Sequence, residues 1–169
     1  MKKSTFSIIV LLTFFLINTN SNFAQELSHG SWGISATVNN SQADLLFPVW
    51  LGKYNTIAPA IGIFGISDVN TDLSVGIVYH HYIKYNSNFS PIIGGRVGGI
   101  FGIPKNGDGT TDWIIGLLGG GEYFFSSNFS VGLEAQFNLA FSDKYSTRFG
   151  NPDGTNFNTG SVIFATVYF

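Results

Sequence analysis

The sequence predicts an all-β fold, an eight-stranded antiparallel up-and-down transmembrane barrel, and three observations carry the prediction. From Gly30 onward apolar residues alternate with polar or small ones at period two, and no long segment holds a helical period. The connectors between these stretches differ in character, some short and others mostly longer and rich in Asp, Asn, Gly and Pro. The few charges within the stretches fall on the face opposite the bulky apolar residues, with Lys53, at a strand end, as the exception. Composition agrees with this picture. Charged residues make up 11% of the 169, less than half the ~25% of an ordinary soluble domain, while aromatics reach 16% with 17 Phe. A disordered chain, held open by polar and charged residues, is thereby excluded. The absence of Cys removes disulfides, thiolate metal sites and Cys nucleophiles. A pI near 5.8 leaves no basic surface for nucleic acid.

The first element is read as an address. Lys2 and Lys3 precede a mostly apolar run, Phe6 to Ile17, and Asn22-Phe23-Ala24 follows before Gln25. That order is expected of a cleaved signal peptide over 1–24, with the barrel domain over 25–169. The apolar run is shorter than the ~20 residues a membrane-spanning helix needs.

Eight strands then follow, at roughly 31–39, 43–53, 56–67, 72–84, 89–103, 112–125, 129–141 and 157–169. The seventh is the clearest. Phe129, Val131, Leu133, Ala135, Phe137, Leu139 and Phe141 share one face, and Ser130, Gly132, Glu134, Gln136, Asn138 and Ala140 the other. The second and third, around Phe47-Pro48-Val49-Trp50 and Ile57–Ile66, are apolar on both faces, which leaves their orientation open. Lys53-Tyr54-Asn55, Tyr85–Asn88 and Ser126-Ser127-Asn128 read as short turns. Ser67–Thr71, Pro104–Thr111 and Ser142–Asn156 carry the turn chemistry of the loops at the other end. Asn88-Phe89-Ser90 recurs as Asn128-Phe129-Ser130, as repeated hairpins would produce.

The charges choose between a membrane barrel and a soluble one. Asp44, Asp72, Lys84, Arg96, Asp112, Glu122 and Glu134 all lie opposite the apolar set, on a face otherwise made of Gly, Ser, Asn and Gln. A Lys or Arg facing lipid at midplane costs about 2–4 kcal/mol, so this sparse polar face reads as a lumen. Tyr54, Tyr79, Tyr82, Tyr85, Phe89, Tyr123, Phe125, Phe129 and Tyr168 gather near the short-turn end, as an interfacial aromatic girdle would.

With its leader, its eight amphipathic segments and the ending Ile163-Phe164-Ala165-Thr166-Val167-Tyr168-Phe169, the chain resembles the small bacterial outer-membrane barrels of the OmpA/OmpX type. The segment Gly119–Ser130 resembles a hairpin common in generic outer-membrane beta-barrel families. The resemblance implies an integral outer-membrane location and contact with outer-membrane lipid. It also implies recognition of the last strand, through Phe169, by the barrel-assembly machinery.

Arg96, Glu122 and Glu134 are expected as a polar network in the lumen, with Arg96 between the two carboxylates, structural in the first place and a proton or ion path in the second. An eight-stranded barrel is just wide enough for side chains to fill it. The loop Ser142–Asn156 is expected to project outward and offer Lys144, Tyr145, Arg148, Phe149 and Asp153 to an extracellular ligand of unknown identity. No catalytic constellation is read. His80 and His81 are adjacent and point to opposite faces of a strand, and His29 has no visible partner. The alternating oxygen side chains at Asp68–Asp72 and Asn106–Asp112 lack the Gly and Glu positions of a calcium loop, so no metal is assigned. The glycine runs 94–99 and 116–121 open no helix and are not followed by Lys-Ser/Thr, so no cofactor is assigned either. The expected role is a non-enzymatic envelope protein. A narrow or lateral channel resembling OmpW and a secreted soluble ligand-binding barrel are the alternatives.

Overall fold

The computed structural model describes residues 30–39, 42–66, 70–83, 88–104 and 108–169. The expected signal peptide, His29, Lys84, Tyr85 and Asp68 lie outside these residues. Nine strand segments build eight staves: β1 (Gly33–Asn39), β2 (Gln42–Leu46), β3 (Val49–Trp50), β4 (Asn55–Ile66), β5 (Asn70–Tyr82), β6 (Phe89–Pro104), β7 (Thr110–Phe124), β8 (Phe129–Phe141) and β9 (Thr155–Tyr168). β2 and β3 are two parts of one stave, parted at Phe47-Pro48, because proline cannot donate to the ladder. Both parts lie beside β4, and the Phe47 N–H reaches the Pro59 carbonyl across the break.

Every pairing is antiparallel, each stave neighbours the next in sequence, and β1 pairs with β9, so the sheet closes into an eight-stranded barrel. Closure gives every stave a neighbour on each side. The last strand is tied firmly, with Gly33 opposite Tyr168 and the Phe169 N–H donating to the Trp32 carbonyl at 2.8 Å.

The barrel is inverted relative to a soluble domain. Ile61, Ile63, Val75, Ile77, Val97, Ile115, Leu117, Leu133 and Ile163 face outward and are exposed. Ser35, Thr37, Thr56, Asp72, His80, Ser90, Asp112, Glu122, Ser130, Glu134, Gln136 and Asn138 are buried within. Among the described residues no Asp, Glu, Lys or Arg of a strand faces outward. The orientation left open for the second and third staves is now set. Leu46, Thr56, Ala58 and Gly62 point inward, while Leu45, Phe47, Val49, Ile61 and Ile63 point outward.

Aromatics mark both ends of the outer wall. Trp32 stacks on Phe169 at 4.8 Å, and Tyr123, Phe125 and Phe129 form a run of ring contacts at the short-turn end. Phe101 meets Trp113 edge-on near the loop end. Two members of the expected girdle are corrected, since Tyr82 and Tyr168 point inward and are 1% and 2% exposed. Parity explains it. Tyr82 is three residues from the outward Tyr79, and Tyr168 shares its face with Phe164 and Thr166.

Side-chain size at inward positions divides the lumen. At the short-turn end Tyr82, Ile92, Phe124, Phe164 and Tyr168 pack together with Trp50 against them. Gly132 makes room for this cluster, because a Cβ there would lie 2.1 Å from the Phe164 ring. Toward the loop end the inward positions include Gly76 and Gly98, directly paired, and Gly116. That half of the lumen is not filled.

These contrasts set a packing prediction. Gly132→Val is expected to lose about 1–3 kcal/mol of stability by overpacking. Gly160→Ala, where the nearest atom to a new Cβ is 3.6 Å away, is expected to be neutral or slightly stabilising. Urea unfolding of the two refolded barrels, followed on unheated gels, measures the difference.

Candidate functional site: the mouth, chamber and plug of the lumen

The functional groups are arranged along the barrel axis in three tiers. At the loop end, β5 and β7 bring the inward carboxylates Asp72 and Asp112 to the mouth, the latter 0% exposed. No strand supplies a cation at this level among the described residues. The loop between β8 and β9 supplies it. Arg148 Nη1 donates to Asp72 Oδ2 at 2.5 Å, and its Nε donates to Asp112 Oδ2 at 3.0 Å. Ser146 Oγ donates to Asp112 Oδ2 at 2.7 Å, and the Asp143 N–H to Asp112 Oδ1 at 2.9 Å. Asp143 in turn accepts from the backbone N–H groups of Tyr145 and Thr111. Hydrogen bonding to Asp72, with Asp112 adding to it, raises the Arg148 pKa above its ordinary value despite partial burial. The guanidinium is therefore charged throughout the working pH range.

The expectation that this loop projects outward is corrected for Arg148 by these bonds. Two buried carboxylates without a strand cation draw the guanidinium into the mouth. Phe149 is half-buried beside it and faces the lumen. Lys144, Tyr145 and Asp153 remain exposed, with the Lys144 ammonium 4.6 Å from the Tyr145 ring centroid. Asp153 takes a positive φ of 56°, in a turn that closes on Asp143 through a 3.2 Å backbone bond.

Below the mouth lies a cavity of about 310 Å³, bordered by Asp44, Ser74, Arg96, Gln136, Asn138 and Asn158, with Arg148 and Phe149 above. The Arg96 side chain does not sit between two carboxylates, which corrects the sequence expectation. Its Nη1 donates to Gln136 Oε1 at 2.5 Å, Gln136 Nε2 donates to Glu134 Oε1 at 2.6 Å, and Glu134 Oε2 meets His80 Nε2 at 3.2 Å. Register is the reason. Arg96 lies level with Gly116, whereas Glu122 lies six residues further along β7, roughly 20 Å at ~3.4 Å per residue. Gln136 and His80 are members that sequence reasoning missed. The inward parity of Gln136 beside Glu134 was a signal for one of them, but nothing in the sequence linked His80 to a strand three staves away.

Glu122 occupies the third tier, inside the aromatic plug and 0% exposed. It accepts from Tyr82 Oη at 2.6 Å, Tyr168 Oη at 3.1 Å and Ser130 Oγ. A cavity of about 20 Å³, room for one water, separates it from Glu134 and His80. A buried carboxyl surrounded by hydroxyl donors is a structural knot that holds β5, β7, β8 and β9 together.

Outside the barrel, His81 points away from the lumen, as its neighbour's inward position requires. Its Nδ1 lies 2.9 Å from Asn55 Oδ1, which also accepts from Tyr79 Oη at 2.6 Å. Among the described residues no three His, Asp or Glu side chains come together as a metal-holding group.

This geometry has a counterpart among solved structures. The crystal structure of Neisserial surface protein A superposes with a TM-score of 0.54 over 82% of this chain and 93% of that one, at 14% sequence identity. That likeness is one of fold. No family model matches the sequence, and no curated protein matches it.

The mouth makes a specific prediction. Arg148→Ala leaves Asp72 and Asp112 without their guanidinium, and a hydrogen bond to a charged group is worth about 1.5–3 kcal/mol. Limited proteolysis within 142–154 is expected to accelerate at least tenfold while the strands stay protected.

Proposed function

We infer that the chain is a non-enzymatic integral β-barrel of the bacterial outer membrane, exported by residues 1–24, and that it contributes to envelope integrity or to surface contacts. The inverted distribution of residues carries the reading. A wall of exposed Ile, Val, Leu and Phe, free of strand charges among the described residues, suits lipid and would aggregate in water. Strands of 12 to 16 residues from β4 to β9 exceed the ~9–11 needed to cross a hydrocarbon core. Aromatic contacts at both ends of that wall fit the two interfaces. The fold shared with a protein named as a surface protein supports the same placement.

The roles follow from position. Phe169, on the stave that closes the barrel, serves with the last strand as the assembly signal read by the barrel-assembly machinery. Lys144, Tyr145 and Asp153 form the outward surface of the long loop, where an extracellular partner would make contact. Arg148 and Phe149 support that surface from within. The aromatic plug around Glu122 favours a closed lumen over a channel, because bulky side chains fill the short-turn half.

Two measurements test this reading. Cell fractionation should place the protein in the outer membrane, with a band whose gel mobility changes on boiling. A soluble, unshifted protein would return the soluble ligand-binding barrel. In planar bilayers the purified barrel is expected to be silent, and Phe164→Ala, which thins the plug, is expected to introduce a small conductance. Steady conductance from the unaltered protein would favour the channel.

A further inference from the structure

The half of the lumen beneath the mouth is built as an enclosure. Three observations make it so. Glycines occupy inward positions where a barrel of this width would otherwise be filled by side chains. A Cβ at Gly116 would lie 2.2 Å from Asn138 Oδ1 and 3.2 Å from Arg96 Cγ, so glycine there is what lets both planar groups reach the cavity. The second observation is the polarity of the walls, to which Ser74 brings a hydroxyl, Gln136, Asn138 and Asn158 bring amides, and Asp44 and Arg96 bring charges. The third is access. The aromatic plug closes one end, while the other is closed by a loop whose Arg148 bridges Asp72 and Asp112 and whose Asp143 accepts from the Thr111 N–H.

We propose that this chamber is a binding site for a small polyhydroxylated solute of monosaccharide size, with loop 142–154 as its lid. The walls select the class. Arg148 is engaged by Asp72 and Asp112, and the remaining charged groups at the cavity, Asp44 and Arg96, are of opposite sign. A simple cation or anion therefore gains little, since attraction to one is offset by repulsion from the other. Donor and acceptor side chains border the cavity together, and a hydroxyl group both donates and accepts, so it suits either kind. Phe149 adds an apolar surface at the roof for the C–H face of a ring. The size also fits. A cavity of about 310 Å³ holds on the order of ten waters, and a monosaccharide displaces roughly six. The site is blind at the plug, so it captures a solute from the loop side and does not conduct it.

Equilibrium dialysis of the full barrel in detergent micelles against radiolabelled glucose, galactose and mannose, each separately, tests the proposal. At least one sugar is expected to bind saturably, one per chain. Asn138→Leu, which replaces a wall amide with an apolar side chain, and Arg96→Met, which removes the wall guanidinium, are each expected to weaken binding at least tenfold. A retained heat-dependent gel shift certifies that both variants are folded barrels. Arg148→Ala is expected to speed release at least tenfold by unlatching the lid. Absence of saturable binding by all three sugars would overturn the proposal, as would affinity unchanged in both wall variants. Saturable binding of the zwitterion glycine betaine in place of the sugars would overturn the assigned class. The test is independent of the membrane placement, which fractionation decides on its own.

Discussion

Closure of the sheet between β1 and β9 is the constraint on which the other features depend. Once the first and last strands pair over Gly33–Asn39 and Val162–Tyr168, every stave has two neighbours and each side chain has only two places to go. A strand cannot slip by one residue without moving its whole apolar set to the other face. The outward Ile, Val, Leu and Phe residues and the inward carboxylates therefore enforce each other's positions. The kinked second stave shows how much irregularity closure tolerates. Pro48 interrupts it, yet the Pro48 carbonyl still accepts from Gly33 and Trp50 donates to Ser31, so the wall remains continuous across the break.

Within that wall, the lumen is shaped by residue size more than by topology. Tyr82, Phe124, Phe164 and Tyr168 make one half a packed core, and Gly76, Gly98 and Gly116 make the other half roomy. The same eight staves thus carry a plug and a chamber. The dense half is stabilised in the ordinary way, by burial of rings from β5, β7 and β9. The roomy half forgoes that burial and keeps polar groups facing a cavity, an arrangement that uniform packing would have avoided.

Much of this was legible in the sequence, for a physical reason: period-two alternation and the penalty on lipid-facing charge act residue by residue. The placement of Asp44, Asp72, Arg96, Asp112, Glu122 and Glu134 inside follows from parity alone. Parity could also have removed Tyr82 and Tyr168 from the girdle, three residues being an odd step from Tyr79 and Tyr168 sharing the face of Phe164. What parity cannot give is height along the barrel. Arg96, Glu122 and Glu134 share the inner face, but register sets Arg96 far from Glu122 and interposes Gln136 before Glu134. Register depends on the lengths of all the turns and on the shear of the closed sheet, which no single strand encodes. The inward turn of Arg148 was hidden for a related reason, because the loop's conformation is dictated by carboxylates on two strands far from it in sequence.

Each charge along the barrel axis is satisfied by a different kind of partner. At the mouth, where Arg148 keeps 23% of its side chain exposed, one guanidinium serves two carboxylates, and solvent helps to screen the excess negative charge. Midway, the sequence of groups from Arg96 through Gln136 and Glu134 to His80 interposes a neutral amide, which donates to one neighbour and accepts from the other. In the plug, Glu122 is surrounded by hydroxyls, which supply donors without importing a second charge to desolvate. Asp112 at the mouth and Glu122 in the plug are both 0% exposed, so the change of partner from ion to amide to hydroxyl follows position along the axis and not degree of burial. The long loop belongs to this gradient. β5 and β7 carry carboxylates to a level where no described strand residue can neutralise them, so the loop must bring a cation back to the barrel. Its inner residues are thereby committed to the mouth, while Lys144, Tyr145 and Asp153 stay at the surface.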